Sequence, residues 1–231
     1  MGASVSDGRT PILLSWSSGK DSAFALHVLR SDPTVEVRGL LTTVNAVHER
    51  VAMHAVRRRL LRAQAEAVGL PLVEVDLPFP CSNEDYEAAM RDALVPQKEA
   101  GIEAIAFGDL FLEDVRAYRE ERNEPVGLGS LFPLWGRDTA ELAGKMLASG
   151  QRAYLTCVDP AQCPREFAGR AYDERLLDEL PDSVDPCGER GEFHTFVWDG
   201  PAFDRPVPVQ PGEVVERGGF VFADLHPAPS D

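Results

Sequence analysis

Apolar positions first gather in a run from Ile12 to Trp16, which leads through Ser17, Ser18 and Gly19 into Ser22 to Arg30, where Phe24, Leu26, Val28 and Leu29 sit among helix formers. That pattern predicts a buried strand, a tight turn of small residues and a helix. Val35 to Thr43 reads as a second strand. After Asn45 a long helical pattern runs to about Val68, where Gly69 and Pro71 stop it. Leu72 to Leu77 is a third strand. Ser82 or Asn83 caps the next helix, with acids in its first turn, and Ile105 to Phe107 is a short buried strand ending at Gly108-Asp109. Strands alternating with helices predict an α/β fold, a Rossmann-like domain of parallel strands over residues 11–132.

Beyond about Leu131 the pattern changes. Pro133-Leu134-Trp135-Gly136 reads as a loop, Asp138 to Ser149 as a helix opened by an Asp138/Glu141 capping box, and Tyr154 to Val158 as a strand. Regularity then fades. Pro201, Pro206, Pro208, Pro211, Pro227 and Pro229 suit edge strands and a loose tail. A smaller C-terminal α+β domain is expected over 133–225, with a tail at 226–231 and a disordered, small and polar N-terminus at 1–10.

Charge narrows the partners. Lys and Arg number 23 against 38 Asp and Glu, a formal charge of −15, and so negative a field repels polyanions, which argues against nucleic acid as a partner. Cys81, Cys157, Cys163 and Cys187 form no CxxC pair and read as reduced thiols. No apolar run approaches the ~20 residues of a membrane span, and no signal peptide opens the chain, so a soluble, cytoplasmic protein without membrane contact is expected. His48, His54, Cys187 and His194 lack structural zinc spacing. Arg57-Arg58-Arg59 with Arg62 reads as a solvated helix face. Trp135 and Trp198 read as packing residues.

The most informative stretch is Ser15-Trp16-Ser17-Ser18-Gly19-Lys20-Asp21-Ser22. A small-residue turn between a strand and a helix start points backbone N–H groups at an anion, and Lys20 adds a point charge. It is not a Walker A loop, which needs glycine where Leu14 stands and Ser or Thr where Asp21 stands. A carboxylate there would repel phosphates unless a divalent cation lay between, so Asp21 implies Mg²⁺. A second signature runs from Asp185 to Thr195, placing Glu189 and Glu192 between Gly188 and Gly191 before Phe193-His194-Thr195. Clustered carboxylates hold cations or act as bases, although spacing alone equally describes a solvated acidic turn.

The loop resembles the PP-loop of the ATP pyrophosphatase superfamily (adenine nucleotide alpha hydrolase-like fold), Ser-Gly-Gly-x-Asp-Ser. Ser17, Gly19, Asp21 and Ser22 match; Ser18 replaces the first glycine, and a positive φ there would carry a steric cost. With Arg50, Met53-His54, Gly108-Asp109 followed by Arg116 and Arg119, Pro133 to Gly136, Gly169-Arg170 and the Gly-Glu-x-Gly-Glu-Phe-His-Thr run, the chain resembles the diphthine–ammonia ligase family from about Ile12 to Leu225. The resemblance implies an ATP-binding domain followed by a smaller domain, and amidation of a carboxylate by ammonia with release of AMP and pyrophosphate. The family's substrate is a modified histidine on a translation factor.

On this reading ATP is held by Ser15, Ser17, Ser18, Gly19, Lys20, Asp21, Ser22, Thr42, His54, Gly108 and Asp109. Lys20 neutralises pyrophosphate and Asp21 shares Mg²⁺. Asp109, Arg116 and Arg119 stand at the carboxyl end of the fourth strand, where open α/β sheets bind ligands. Asp185, Gly188, Glu189, Glu192 and Thr195 join the two arginines at the substrate, and Glu189, Glu192 and His194 bind ammonium and take its proton. The rivals are a PP-loop tRNA-modifying enzyme, which the charge opposes, and a non-catalytic ATP-binding regulator. The acceptor and the oligomeric state, a homodimer included, stay open.

Overall fold

In the computed structural model, which describes residues 8–51 and 56–228, Leu13 and Ile105 are cross-strand neighbours in one apolar cluster, and Leu14 and Ala106 are neighbours in another. The alternation sends successive side chains to opposite faces of a parallel sheet covered on both sides. The chain runs β1 (Thr10–Ser15), α1 (Lys20–Arg30), β2 (Val35–Asn45), β3 (Arg50–Val51), α2 (Arg58–Ala67), β4 (Leu72–Leu77), α3 (Asn83–Glu99), β5 (Ala104–Ala106), α4 (Glu113–Asn123) and β6 (Gly129–Leu131). Strands β4, β2, β1, β5 and β6 lie side by side and parallel, and β3 is antiparallel on the end of β2. Leu94 of α3 packs with Leu13, Leu41, Val75 and Ile105 on one face. Helices α1 and α2 cover the other through Phe24, Leu26, Leu60 and Leu61. The chain leaves β1 for β2 on one side, while β5 takes the other, so the switch point of the sheet lies between β1 and β5.

Next come α5 (Thr139–Ala148), β7 (Arg152–Val158), β8 (Ala171–Tyr172), α6 (Glu174–Glu179), β9 (Phe193–Asp199), β10 (Val209–Arg217) and β11 (Phe220–Pro227). Strand β7 is the axis of a second, antiparallel sheet: β9 runs along one side, and β8 and β11 share the other, with β10 outermost. Leu155, Phe196, Val197 and Leu225 of this sheet belong to the same apolar cluster as Ile12 and Leu14. The two sheets therefore share a core.

Several expectations are corrected. The described residues do not form the long helix expected after Asn45. The Asn45 side chain accepts the N–H groups of Val47 and His48, an Asx turn that reverses the chain into β3, and among the described residues of this stretch only Arg58–Ala67 is helical. Strand β1 begins at Thr10, inside the segment expected to be loose, because the Thr10 N–H bonds the Thr34 carbonyl at 2.8 Å; residues 1–7 lie outside the described residues. Strand β6 and helix α4 add to the expected count, giving five parallel strands instead of four. Asp138 caps α5 as expected, but the Glu141 carboxylate pairs with Lys145. Regularity does not fade at the C-terminal end. Residues 209–227 form a hairpin turned by Gly218 and Gly219, both in the left-handed region, with Pro211 tolerated at a register shift on the outer strand.

Candidate active site

The loops after β1 and β5 meet residues 185–195 around a cavity of about 520 Å³, a size suited to a nucleotide or similar ligand. Ser15, Ser17, Lys20, Asp21 and Ser22 line it from the first loop, Thr42 from β2, Gly108, Asp109 and Arg119 from the β5–α4 side, and Gly188, Glu189, His194 and Thr195 from the acidic turn and β9. Gly108 is needed as glycine. A Cβ on it would lie 3.0 Å from the Asp21 carbonyl carbon and the Ser22 nitrogen, so the second loop packs directly on the first turn of α1.

Ser18 adopts φ +68°, the left-handed conformation its missing glycine would have taken freely, at about 1 kcal/mol. Its surroundings impose it. The Ser18 carbonyl accepts the Val197 N–H at 3.0 Å and the Gln64 side-chain amide at 3.1 Å. Gln64, fully buried, also donates to the Val197 carbonyl at 2.6 Å and accepts the Trp16 indole N–H at 2.9 Å. Ser17 and Ser22 bond through their hydroxyls at 3.2 Å, and Gly19 caps α1 with no side-chain bond. Neither Ser18 nor Gly19 is among the cavity walls. Thr42 lines the cavity, and its hydroxyl donates to the Trp16 carbonyl at 2.7 Å.

Lys20 departs from its expected role as a phosphate neutraliser. Only 2% exposed, its ammonium donates to both oxygens of Asp21 at 2.8 and 2.9 Å and to the Cys187 carbonyl. Burial works against the charge, yet Asp21, Cys187 and Glu189 together outweigh it and the net shift is upward. Asp21, half-buried at the cavity wall, thus has an internal partner.

The acidic turn divides its carboxylates. Glu189 faces the cavity and accepts the Leu110 N–H at 2.7 Å. Burial raises it to about 7, the Leu110 bond pulling it back and Asp21 and Asp109 adding to the rise. Glu192 does not face the cavity: it is 1% exposed and accepts the Asp185 and Arg190 N–H groups, both at 2.9 Å. The expectation that it serves the amine is corrected, because both its oxygens hold the turn. Asp185 likewise is buried and accepts the Cys187 N–H and the Thr139 hydroxyl. The Thr195 hydroxyl accepts the Lys20 N–H at 3.0 Å, and Gly188 (φ +66°) sits where a Cβ would strike the Phe193 carbonyl at 2.8 Å. His194 is lowered to about 4 by burial and then by Lys20, so its imidazole is neutral near pH 7.

The two arginines separate. Arg119 lines the cavity with its Nε 3.5 Å from Asp109 Oδ2, and neither buried atom has a hydrogen-bond partner. Arg116 instead lies over the rings of Phe132 and Trp135 and pairs with Glu120, so its expected substrate contact is corrected. His54 lies outside the described residues. Of the arginine run, Arg57 pairs with Asp224, and Arg58 and Arg62 with Glu74, while Arg59 is exposed. Among the described residues no group of three or more His, Cys, Asp or Glu could hold a metal ion by itself, and no helix is long and apolar enough to cross a membrane.

The family model described as the diphthamide synthase N-terminal domain matches residues 9–130, and that of the diphthamide synthase C-terminal domain matches residues 138–223. The chain belongs to the diphthamide synthase family. Within that family it is 27% identical over 229 residues to the diphthine–ammonia ligase of Danio rerio, covering 90% of each chain. It is 25% identical to that of Homo sapiens, covering 90% of this chain and 86% of the relative. The Schizosaccharomyces pombe ligase is longer: 28% identity spans 87% of this chain and 36% of that one. Family membership implies the use of ATP. The cavity lies at the switch point of the sheet, where open α/β sheets bind ligands. Gln64, Gln151, Thr139 and the Leu110 N–H hold this site together and were missed in the sequence, since their partners lie 46 to 133 positions away and no local pattern marks them.

Proposed function

We propose that this chain is an ATP-dependent amide-forming ligase, in which a substrate carboxylate and ammonia are joined in the cavity with release of AMP and pyrophosphate, as the name diphthine–ammonia ligase of its relatives describes. The observation that carries the reading is the meeting of the two signatures: Lys20 and Asp21 of the loop and Glu189 and His194 of the turn line one cavity. A carboxylate oxygen attacks the α-phosphorus of ATP, and pyrophosphate leaves toward the first turn of α1, where backbone N–H groups favour anions. Ammonia then attacks the acyl carbon, AMP leaves, and one proton must be removed.

Glu189 suits that removal. A base whose pKa lies near the working pH combines a useful ionised fraction with adequate basicity, and Glu189 stands at about 7. His194, neutral at that pH, does not repel ammonium. Arg119 and Asp109 also line the cavity, each with a buried polar atom that has no hydrogen-bond partner, and the arginine suits the carboxylate. Mg²⁺, held by one or two carboxylates plus phosphates in nucleotide enzymes, would be met by Asp21 and would neutralise the departing charge. The acceptor we assign is a diphthine-type carboxylate on a protein, in a cytoplasmic setting; the net charge of −15 disfavours a tRNA substrate. The test is chromatography of nucleotide products with the acceptor and ammonium present. AMP and pyrophosphate are expected, and ADP with phosphate as main products would overturn the reading.

A further inference from the structure

We infer that Lys20 is a positioning residue that ties the phosphate loop to the acidic turn and so places Glu189, and that it is not a phosphate ligand. The inference rests on the ligase reading only for what Glu189 is placed to do. An ammonium has three hydrogens, and those of Lys20 meet Asp21 Oδ1, Asp21 Oδ2 and the Cys187 carbonyl. The charge also lies 5.6 and 5.8 Å from the ring centroids of Phe193 and Tyr172, favourable cation–π geometry on the side of the second sheet. The Lys20 backbone repeats the pattern: its N–H donates to Thr195 Oγ1, and its carbonyl accepts the Gln151 amide at 3.0 Å. Each of these partners except Asp21 belongs to the C-terminal half of the chain.

The consequence falls on the turn. Cys187 and Glu189 are two residues apart, and the segment is fastened to the N-terminal half through the Lys20–Cys187 bond and the Leu110–Glu189 bond. Without the first, the turn keeps its internal bonds from Asp185 and Glu192 but loses the contact that sets it against the loop. Asp21 stands at the junction, so a ligand that engages this carboxylate bears on the same lysine.

The experiment is amide hydrogen exchange over residues 185–192 in the nucleotide-free protein, on wild type and Lys20→Met, with calorimetric ATP titration of both. Exchange in the turn should rise about tenfold or more, ATP affinity should stay within about threefold, and amide yield should fall more than AMP release. Lys20→Arg, which keeps a cation, should restore part of the protection. Unchanged exchange in the turn, or a loss of ATP affinity beyond about thirtyfold, would overturn the inference and return Lys20 to the phosphates. If Lys20→Met leaves Asp21 uncompensated and the chain unfolds, the double variant Lys20→Met/Asp21→Asn carries the exchange measurement under the same criteria. The nucleotide-free readout stands even if the wild type proves not to be a ligase, so the two readings fail separately.

Discussion

Glu189 accepts the Leu110 N–H at 2.7 Å, joining the acidic turn to the loop after β5 across 79 positions of sequence. The bond holds the carboxylate at the cavity wall, where burial above all, and then the charges of Asp21 and Asp109, raise it to about 7. The bond thus fixes where the base stands, and burial with the neighbouring acids sets when it ionises.

Glu189→Gln should therefore leave ATP affinity within about threefold while amide formation is lost. Amide formation by the wild type should rise with pH through about 7 as Glu189 ionises, and the residual rate of the variant should lack that step. Stability offers a second reading. A carboxyl raised in the folded state costs stability as pH climbs from its unfolded value toward 7, whereas His194, lowered to about 4, adds stability over about pH 4 to 6.5. The two oppose each other, so melting temperature should climb more steeply with pH in Glu189→Gln than in wild type. Glu192→Gln should behave differently, lowering stability by about 1–3 kcal/mol, because an amide cannot accept both turn N–H groups. Equal melting temperatures for Glu192→Gln and wild type would contradict its place in the turn.

Gln64→Leu should destabilise by about 2–4 kcal/mol. The substitution keeps bulk but strands the Trp16 indole N–H and the Val197 carbonyl, which Gln64 now satisfies. Denaturant unfolding monitored by tryptophan fluorescence measures it, and a change below about 0.5 kcal/mol would mean that these groups find other partners. Because the same amide bonds the Ser18 carbonyl, ATP affinity should fall as the loop relaxes.

Asp224 accepts from Arg50 and Arg57 on either side of the β3–α2 connection and holds β11 against the first sheet. Against burial, the two guanidinium groups bring it down to about 2. Its contribution is present above the unfolded value near 4 and is lost as pH falls through about 2. Asp224→Asn should cost about 1–2 kcal/mol at pH 7 and little at pH 2. Thermal melts across that range check it, and a pH-independent difference would show that the loss is one of packing.

Local chemistry made much of the first half of the chain legible. The Ile12 run, the small-residue turn and the amphipathic stretch behind it specify strand, loop and helix without help, because period and turn residues act within a few positions. The same is true of the Ser82 cap, whose capping box with Asp85 forms as its spacing allows. Where a local signal competed with a longer contact, the contact won. Asn45 reads as a helix start, but β2 continues to it because its neighbours pair with β4 as far as Leu77.

The site divides along the same line. Sequence marked both signatures and brought Glu189, His194, Asp21 and Asp109 into view, since glycines, clustered acids and a lysine are unusual enough to be seen one residue at a time. It could not say which acid faces the ligand. Glu189 and Glu192 stand three apart between glycines and are chemically alike, and only the fold of the turn sends one to the cavity and the other inward to two backbone N–H groups. Lys20 was visible as a charge but not as a tie, and Gln64 was not visible at all. Their partners are brought close by the packing of the second sheet on the first, and a hydrogen bond between residues more than a hundred positions apart leaves no trace in the local pattern of either.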